Sequence, residues 1–126
     1  MFKRFIAALT LAASAMMGGA ALANPVYFIA TVSVTDWESY NNEYSSVAVP
    51  GIIAAGGEIL VATPEVTVAE GNYPHNWTVI VRFESQEAAL GFYTSEEYQA
   101  VIPIRHASSD TETSVLMLAP EFGSAE

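Results

Sequence analysis

The sequence contains no cysteine and only two histidines among its 126 residues. Without thiols the chain can form neither disulfides nor thiolate metal sites, and it lacks a thiol nucleophile. Two imidazoles cannot supply the three found in one common kind of catalytic zinc site. Mixed histidine and carboxylate sites could only come from His75 with Glu70 or from His106 with Asp110. Neither spacing matches a known metal motif, and there is no phosphate-binding glycine loop, so we predict no metal and no cofactor.

Basic residues are also scarce, at four lysines and arginines against fourteen acidic residues. Two of the four, Lys3 and Arg4, precede an apolar run from Phe5 to Gly18 and the small-residue triplet Ala21-Leu22-Ala23. This pattern is typical of a secretory signal peptide. The run is short for a membrane span, and no cysteine follows for lipid attachment. We predict cleavage before Asn24 and a periplasmic or secreted product.

Removal of residues 1–23 leaves two basic and fourteen acidic side chains, a net charge of −12. Such a chain repels phosphate backbones and anionic lipid, which excludes nucleic acid and the membrane surface as expected partners. The rest of the chain has no linker, repeat or low-complexity segment. We therefore predict one domain over residues 24–120, followed by a flexible tail over residues 121–126.

The most informative stretch runs from Trp77 to Ala100. The side chains of its first seven residues, 77–83, alternate between two faces in the pattern of a strand that is covered on both sides. This pattern predicts a central strand. Ser85 can cap a following helix on which Ala89, Phe92 and Tyr93 recur at helical spacing. The stretch therefore predicts a strand followed directly by a helix.

Upstream, residues 26–34 predict another central strand, and Thr35 to Glu38 matches a capping box that begins a helix. That helix carries an aromatic and apolar stripe: Trp37, Tyr40, Tyr44, Val47 and Ala48. Pro50 interrupts it, either as a kink or as the start of a second segment. Gly56-Gly57 ends it with a left-handed cap.

Shorter elements complete the pattern. Residues 58–62 predict a strand, and residues 65–70 alternate as a small edge extension or hairpin arm. Thr94 or Ser95 caps a helix that Pro103 limits, so that Arg105 and His106 fall in a turn region. Residues 111–118 predict the last strand.

The order strand, helix, strand, strand, helix, strand indicates an α+β, ferredoxin-like plait with an antiparallel sheet and both helices on one face. The other face, which includes Tyr27 and Ile29 or their alternates, would expose an apolar patch too large for a soluble monomer. Pairing two sheets face to face would cover it. We therefore expect a homodimer in which two sheets form a dimeric α/β barrel.

These residues resemble the family named domain of unknown function 1330, within the dimeric α/β-barrel group. The resemblance covers nearly all of the chain after residue 23 and involves Tyr40, Tyr44, Pro50, Gly56-Gly57, Glu70-Gly71, Phe83-Glu84-Ser85, Glu87-Ala88-Ala89, Phe92-Tyr93, residues 95–99 and Arg105. It implies a ferredoxin-like protomer and a homodimer, but no agreed reaction. The chain departs from it at His75-Asn76, where members often carry a basic residue, and at Pro103.

Three functions remain open. The first is a binding module whose apolar cleft between sheet and helices is lined by Tyr27, Trp37, Tyr40, Phe92 and Tyr93, with polar contacts from His75, Arg105 or His106. The second is a cofactor-independent monooxygenase or isomerase, as in related barrels, with His75 or His106 as general base. The third is a structural dimer without a ligand. A histidine and an arginine converging on one cleft would favour catalysis, and an apolar cavity without them would favour binding.

Both arginines after residue 23 have two interpretations. Arg105 could hold a ligand carboxylate, or it could pair with Glu97 or Asp110. Arg82 lies within the central strand, where its head must reach a carboxylate, a carbonyl or the sheet edge.

Overall fold

The computed structural model describes residues 24–124, so the predicted signal peptide lies outside the described residues. The elements are β1 (Val26–Val32), α1 (Trp37–Ser39, a π-helical turn Tyr40–Ser45 and Ser46–Ala54, in one continuous run), β2 (Glu58–Thr63), β3 (Trp77–Phe83), α2 (Gln86–Tyr93), α3 (Glu96–Ala107) and β4 (Val115–Pro120). The strands form one antiparallel sheet in the order β2-β3-β1-β4. This is the predicted ferredoxin-like plait. Within residues 24–124, the helices are too short or too polar to cross a bilayer.

The helices pack on one side of the sheet, which we call the covered face. The side chains of Phe28, Ala30 and Val32 point to it from β1, and those of Val81 and Phe83 from β3. The helices bury these residues with Tyr40, Tyr44, Ala48, Ile52, Ala89, Phe92, Tyr98 and Val101. The core therefore lies between the sheet and the helices.

On the opposite side, which we call the open face, no helix from the described part of the chain lies over the sheet. Strand pairing aligns Ile29 with Ile80 on one side and with Met117 on the other. Ile29 and Ile80 are half-buried, while Met117 is 46% exposed. The centre of the open face is therefore apolar and partly exposed, as the alternation predicted.

The three helices begin at side-chain caps. Ser85 accepts a hydrogen bond from the Ala88 amide, and Ser95 accepts one from the Tyr98 amide, as predicted. The predicted capping box at Thr35 is wrong, because Asp36 is the cap and accepts from the Ser39 amide at 3.2 Å. The Thr35 amide instead donates to the Ser108 carbonyl, which ties the end of β1 to the end of α3.

Pro103 does not end its helix, so the predicted limit there is wrong, and Pro50 does not divide the first helix into two segments. The helical residues run without a break from Trp37 to Ala54 and from Glu96 to Ala107. Both prolines lie on exposed sides, where each costs about one backbone hydrogen bond. Burial of Tyr44, Ala48 and Ile52 at four-residue spacing holds the first helix against the core through that defect.

Two other boundaries differ from the prediction. Residues 65–70 form no strand but part of the loop between β2 and β3. The last strand begins at Val115 rather than at residue 111, because Asp110 closes a turn by accepting from the Glu112 and Ser114 amides. The left-handed cap after α1 is confirmed, and it is Gly56, with φ of +86°.

Candidate functional site

A small cavity of about 70 Å³ lies between the covered face and α1. Its lining is apolar or aromatic apart from the Ser45 hydroxyl and the tyrosine hydroxyls, and it includes Phe28, Ala30, Tyr40, Tyr44, Ser45, Ala48, Val49, Ile52, Ile59, Ala62, Trp77, Val79, Val81 and Phe92. No charged side chain of residues 24–124 contributes to it. Val49 and Ala62 are exposed, so the cavity reaches the surface between α1 and the edge strand β2. The sequence places its candidate ligand cleft in this general position, between the sheet and the helices.

The aromatic residues predicted to line that cleft are only partly brought together. Tyr40 and Phe92 line the cavity, and Trp37 stacks edge-on against Trp77 at 5.7 Å. Tyr93 lies on the far side of α2, in a separate groove against β4. Tyr27 is on the open face, because side chains alternate along β1 and its neighbour Phe28 points to the covered face.

Arg105 lies under the helices rather than in a turn. Pro103 does not end α3, so Arg105 falls in the last helical turn and points inward, with 7% of its surface exposed. Its guanidinium carbon lies 5.9 Å from the centre of the Tyr44 ring. Among the described residues its Nε finds no hydrogen-bond acceptor. No ion pair within residues 24–124 involves Arg105, so the predicted alternative of a pair with Glu97 or Asp110 is wrong.

Two tyrosine hydroxyls adjoin this arginine. The hydroxyl groups of Tyr44 and Tyr98 are hydrogen-bonded at 2.7 Å. Burial, with the proximity of Tyr98, raises the pKa of Tyr44 far above its ordinary value, and burial likewise raises the pKa of Tyr40. The hydroxyls of Tyr40 and Tyr44 therefore keep their protons throughout the physiological range. We name Tyr44, Tyr98 and Arg105 the tyrosine–arginine cluster.

Sequence reasoning missed the two tyrosines of this cluster as functional candidates, because it assigned both to apolar helix faces. A signal was present. Arg105 follows Tyr98 by seven residues, two helical turns, which places both on one face of a helix. Nothing in the sequence shows that Tyr44 of a different helix meets them.

His75 lies on the opposite side of the sheet from Arg105. Its Nδ1 is 3.1 Å from the Ser33 hydroxyl oxygen, and the Thr113 hydroxyl donates to that same oxygen at 3.1 Å. Its ring packs edge-on against Tyr73, whose hydroxyl is bonded to that of Thr78 on the open face. His75 and Arg105 therefore do not converge on one cleft.

The remaining candidates lie at the surface. His106 is exposed in the last turn of α3. No group of three or more histidine and acidic side chains is clustered for metal binding in the part of the chain that the structure describes. Arg82, whose role the sequence left open, extends across the open face to Glu121, with Nε 3.3 Å from the carboxylate. Tyr27 donates to the same oxygen at 2.8 Å.

Residues 25–118 match the family described as domain of unknown function (DUF1330). The chain belongs to that family. Its match spans every strand and helix of the plait up to Leu118, so the resemblance seen in the sequence is confirmed. No curated protein matches the chain.

Solved structures share the fold at low sequence identity. A protein of unknown function from Rhodopseudomonas palustris is 16% identical, with a TM-score of 0.64 over 86% of this chain and 91% of its own. A dimeric ferredoxin-like protein of unknown function from Bacteroides fragilis is 14% identical, with a TM-score of 0.51 over 77% and 96%. A candidate antibiotic biosynthesis monooxygenase from Caulobacter crescentus is 13% identical, with a TM-score of 0.51 over 88% and 99%. At these identities the likeness establishes the fold alone.

Proposed function

We propose that this protein is an exported homodimer that binds a small apolar or aromatic ligand in the cavity between the sheet and α1. The observation that carries the binding function is the lining of that cavity, which has aromatic walls and, among the residues that the structure describes, no charged side chain. Small side chains, Ala30, Ala48 and Ala62, leave space that larger residues would fill. Apolar pockets of this kind are the usual sites for small molecules.

The volume limits the ligand. An apolar cavity of about 150 Å³ holds benzene in another protein, and this one is about 70 Å³. A one-ring ligand would therefore fill the cavity and extend through the opening beside Val49 and Ala62. Larger ring systems would require α1 to move away from the sheet.

The binding test uses toluene and indole as probes, read by thermal unfolding of the protein. A ligand that binds only the folded state raises Tm, by an amount equivalent to about 2.7 kcal/mol at one hundred times its dissociation constant. Ala62→Phe places a ring in the opening and should abolish the increase. Ala100→Phe, at an exposed alanine of α3 away from the cavity, should leave it unchanged. The proposal is overturned if neither probe shifts Tm in the unmodified protein.

A catalytic function has less support. A general base must come within hydrogen-bond reach of the substrate. The cavity lining contains no histidine, and His75 is bonded to Ser33 on the other side of the sheet. The Caulobacter crescentus structure shares the fold and carries no residue role over to this chain.

The dimer rests on the open face, where Ile29, Ile80 and Met117 form an apolar surface without a helix over it. A second copy placed sheet to sheet would bury this surface in both chains. The Bacteroides fragilis protein, which has the same fold, is described as dimeric. Sedimentation at micromolar concentration should give the mass of two chains, and the mass of one chain would refute the dimer.

Export rests on residues 1–23, and the family match begins just after them, at residue 25. Mass measurement of the protein recovered from outside the cytoplasm should find Asn24 at its N-terminus. A product that keeps Met1 would refute cleavage.

A further inference from the structure

We propose that the tyrosine–arginine cluster is the anion-binding end of the cavity, and that the ligand is a small aromatic or apolar carboxylic acid. This inference rests on the binding function proposed above and specifies its ligand class. Its strongest support is Arg105, which is buried and has no carboxylate partner among the described residues.

The position of Arg105 is unusual for a charged side chain. The guanidinium is always protonated at physiological pH, and a buried charge is costly unless a counter-charge and hydrogen bonds compensate it. The chain offers fourteen carboxylates in all, yet none within residues 24–124 pairs with this arginine, and its Nε has no acceptor there. Arg82 in the same fold does pair with a carboxylate, that of Glu121. An external anion would supply the counter-charge that Arg105 lacks.

The neighbouring hydroxyls supply a second donor. In the hydrogen bond between Tyr44 and Tyr98, one hydroxyl donates and the other accepts. The accepting tyrosine keeps its own proton free for another bond. A carboxylate next to Arg105 could therefore accept from the Nε and from one tyrosine hydroxyl, which satisfies both of its oxygens.

Tyr44 connects this cluster to the apolar cavity. Its ring is part of the cavity lining, and the Arg105 guanidinium lies over the same ring. Arg105 and Tyr98 do not line the cavity themselves, so a ligand whose ring occupies it brings a carboxylate to Arg105 only when the Tyr44 ring turns aside. The charge also favours a monoanion, because a single guanidinium would leave part of a phosphate dianion uncompensated in this buried place.

The test compares benzoate with benzamide, which has the same shape and no charge, by calorimetric titration of the full protein. Benzoate should bind roughly tenfold or more tightly than benzamide, because hydrogen bonds to charged groups are the stronger ones. Arg105→Gln should remove that preference while leaving toluene binding intact. Arg82→Gln removes the other arginine of the domain, on the open face, and should leave the preference unchanged.

Tyr98→Phe provides a second variant if Arg105→Gln does not fold. It keeps the ring and removes one hydroxyl, so the benzoate preference should fall severalfold with no loss of toluene binding. Toluene binding without a benzoate preference would overturn this inference and leave the proposed function standing. A preference that survives Tyr98→Phe and any folded Arg105→Gln protein would also overturn it. Failure of toluene, indole and benzoate alike would overturn both.

Discussion

The two faces of the sheet are built from the same strands and similar residues, but they differ in what lies over them. On β1, Phe28 and Val32 are 6% and 0% exposed, whereas Tyr27 and Ile29 on the same strand are only half-buried. On β3, Val81 and Phe83 are 0% exposed, and Ile80 is half-buried. Side-chain alternation therefore separates the residues into two sets, and the position of the helices decides which set becomes the core of the single chain.

The largest expected effect compares Phe83→Ala on the covered face with Ile80→Ala on the open face. Phe83→Ala should lower the free energy of unfolding by about 3–5 kcal/mol at every protein concentration, because it empties the centre of the core. Ile80→Ala should cost less in dilute protein, and its cost should grow as concentration rises and the proposed dimer forms. Denaturant unfolding at two protein concentrations measures both. A cost for Ile80→Ala that does not vary with concentration would contradict a second copy on the open face.

The second prediction examines how closely α1 approaches the covered face. A Cβ at Gly57 would lie 2.7 Å from Ile52 Cγ2 and 2.9 Å from both Phe83 Cε1 and Val81 Cγ1. Gly57→Ala should therefore destabilise the protein by about 1–3 kcal/mol through overpacking. Gly91 in α2 is the control, since a Cβ there meets no atom within 4 Å. Gly91→Ala should stabilise the protein by about 0.5–1 kcal/mol, because alanine favours a helix over glycine. Equal effects at the two glycines in thermal unfolding would refute the close approach.

The smallest effect is expected at the polar end of the open face. The hydrogen bond from Tyr27 lowers the pKa of Glu121; partial burial opposes this, and Arg82 adds to the lowering. A carboxylate whose pKa is lower in the folded state stabilises the fold above its unfolded pKa, and this contribution is lost as pH falls through the folded pKa. Glu121→Gln should therefore lower Tm slightly at neutral pH, and the difference should vanish in acid. A Tm difference that stays constant into acid would show that charge has no part in it.

The prolines show where local rules fail. Pro50 and Pro103 each remove a backbone donor, and local reasoning therefore predicts a kink or a second segment at Pro50 and the end of the helix at Pro103. The loss is about one hydrogen bond on an exposed side, while the residues that follow, Ile52 and Arg105, are held inward by packing on several elements. The same packing moves Arg105 from a predicted turn into the buried cluster.

The sequence predicted the kind of candidate site, an apolar cleft between the sheet and the helices, but not which residues line it. Helical spacing indicates that Tyr40 and Phe92 face the core, and strand alternation indicates that β1 and β3 have two apolar faces. Neither pattern tells which face of β1 turns toward α1, so Tyr27 was placed in the cleft. Likewise, Tyr44 and Tyr98 are 54 residues apart in the chain, and no local pattern predicts their hydrogen bond.

The sequence by itself determined the order of the elements, two of the three helix starts, at Ser85 and at Thr94 or Ser95, the left-handed cap after α1, and the two-faced strands. These follow from short-range hydrogen bonding and from the periods of helix and strand, which adjacent residues define. Only the tertiary structure decided that, among residues 24–124, no carboxylate pairs with the buried Arg105, His75 lies on the opposite side of the sheet from it, and no helix covers one face. Those outcomes depend on contacts between distant segments, whose free energy is set by the packing of the whole domain.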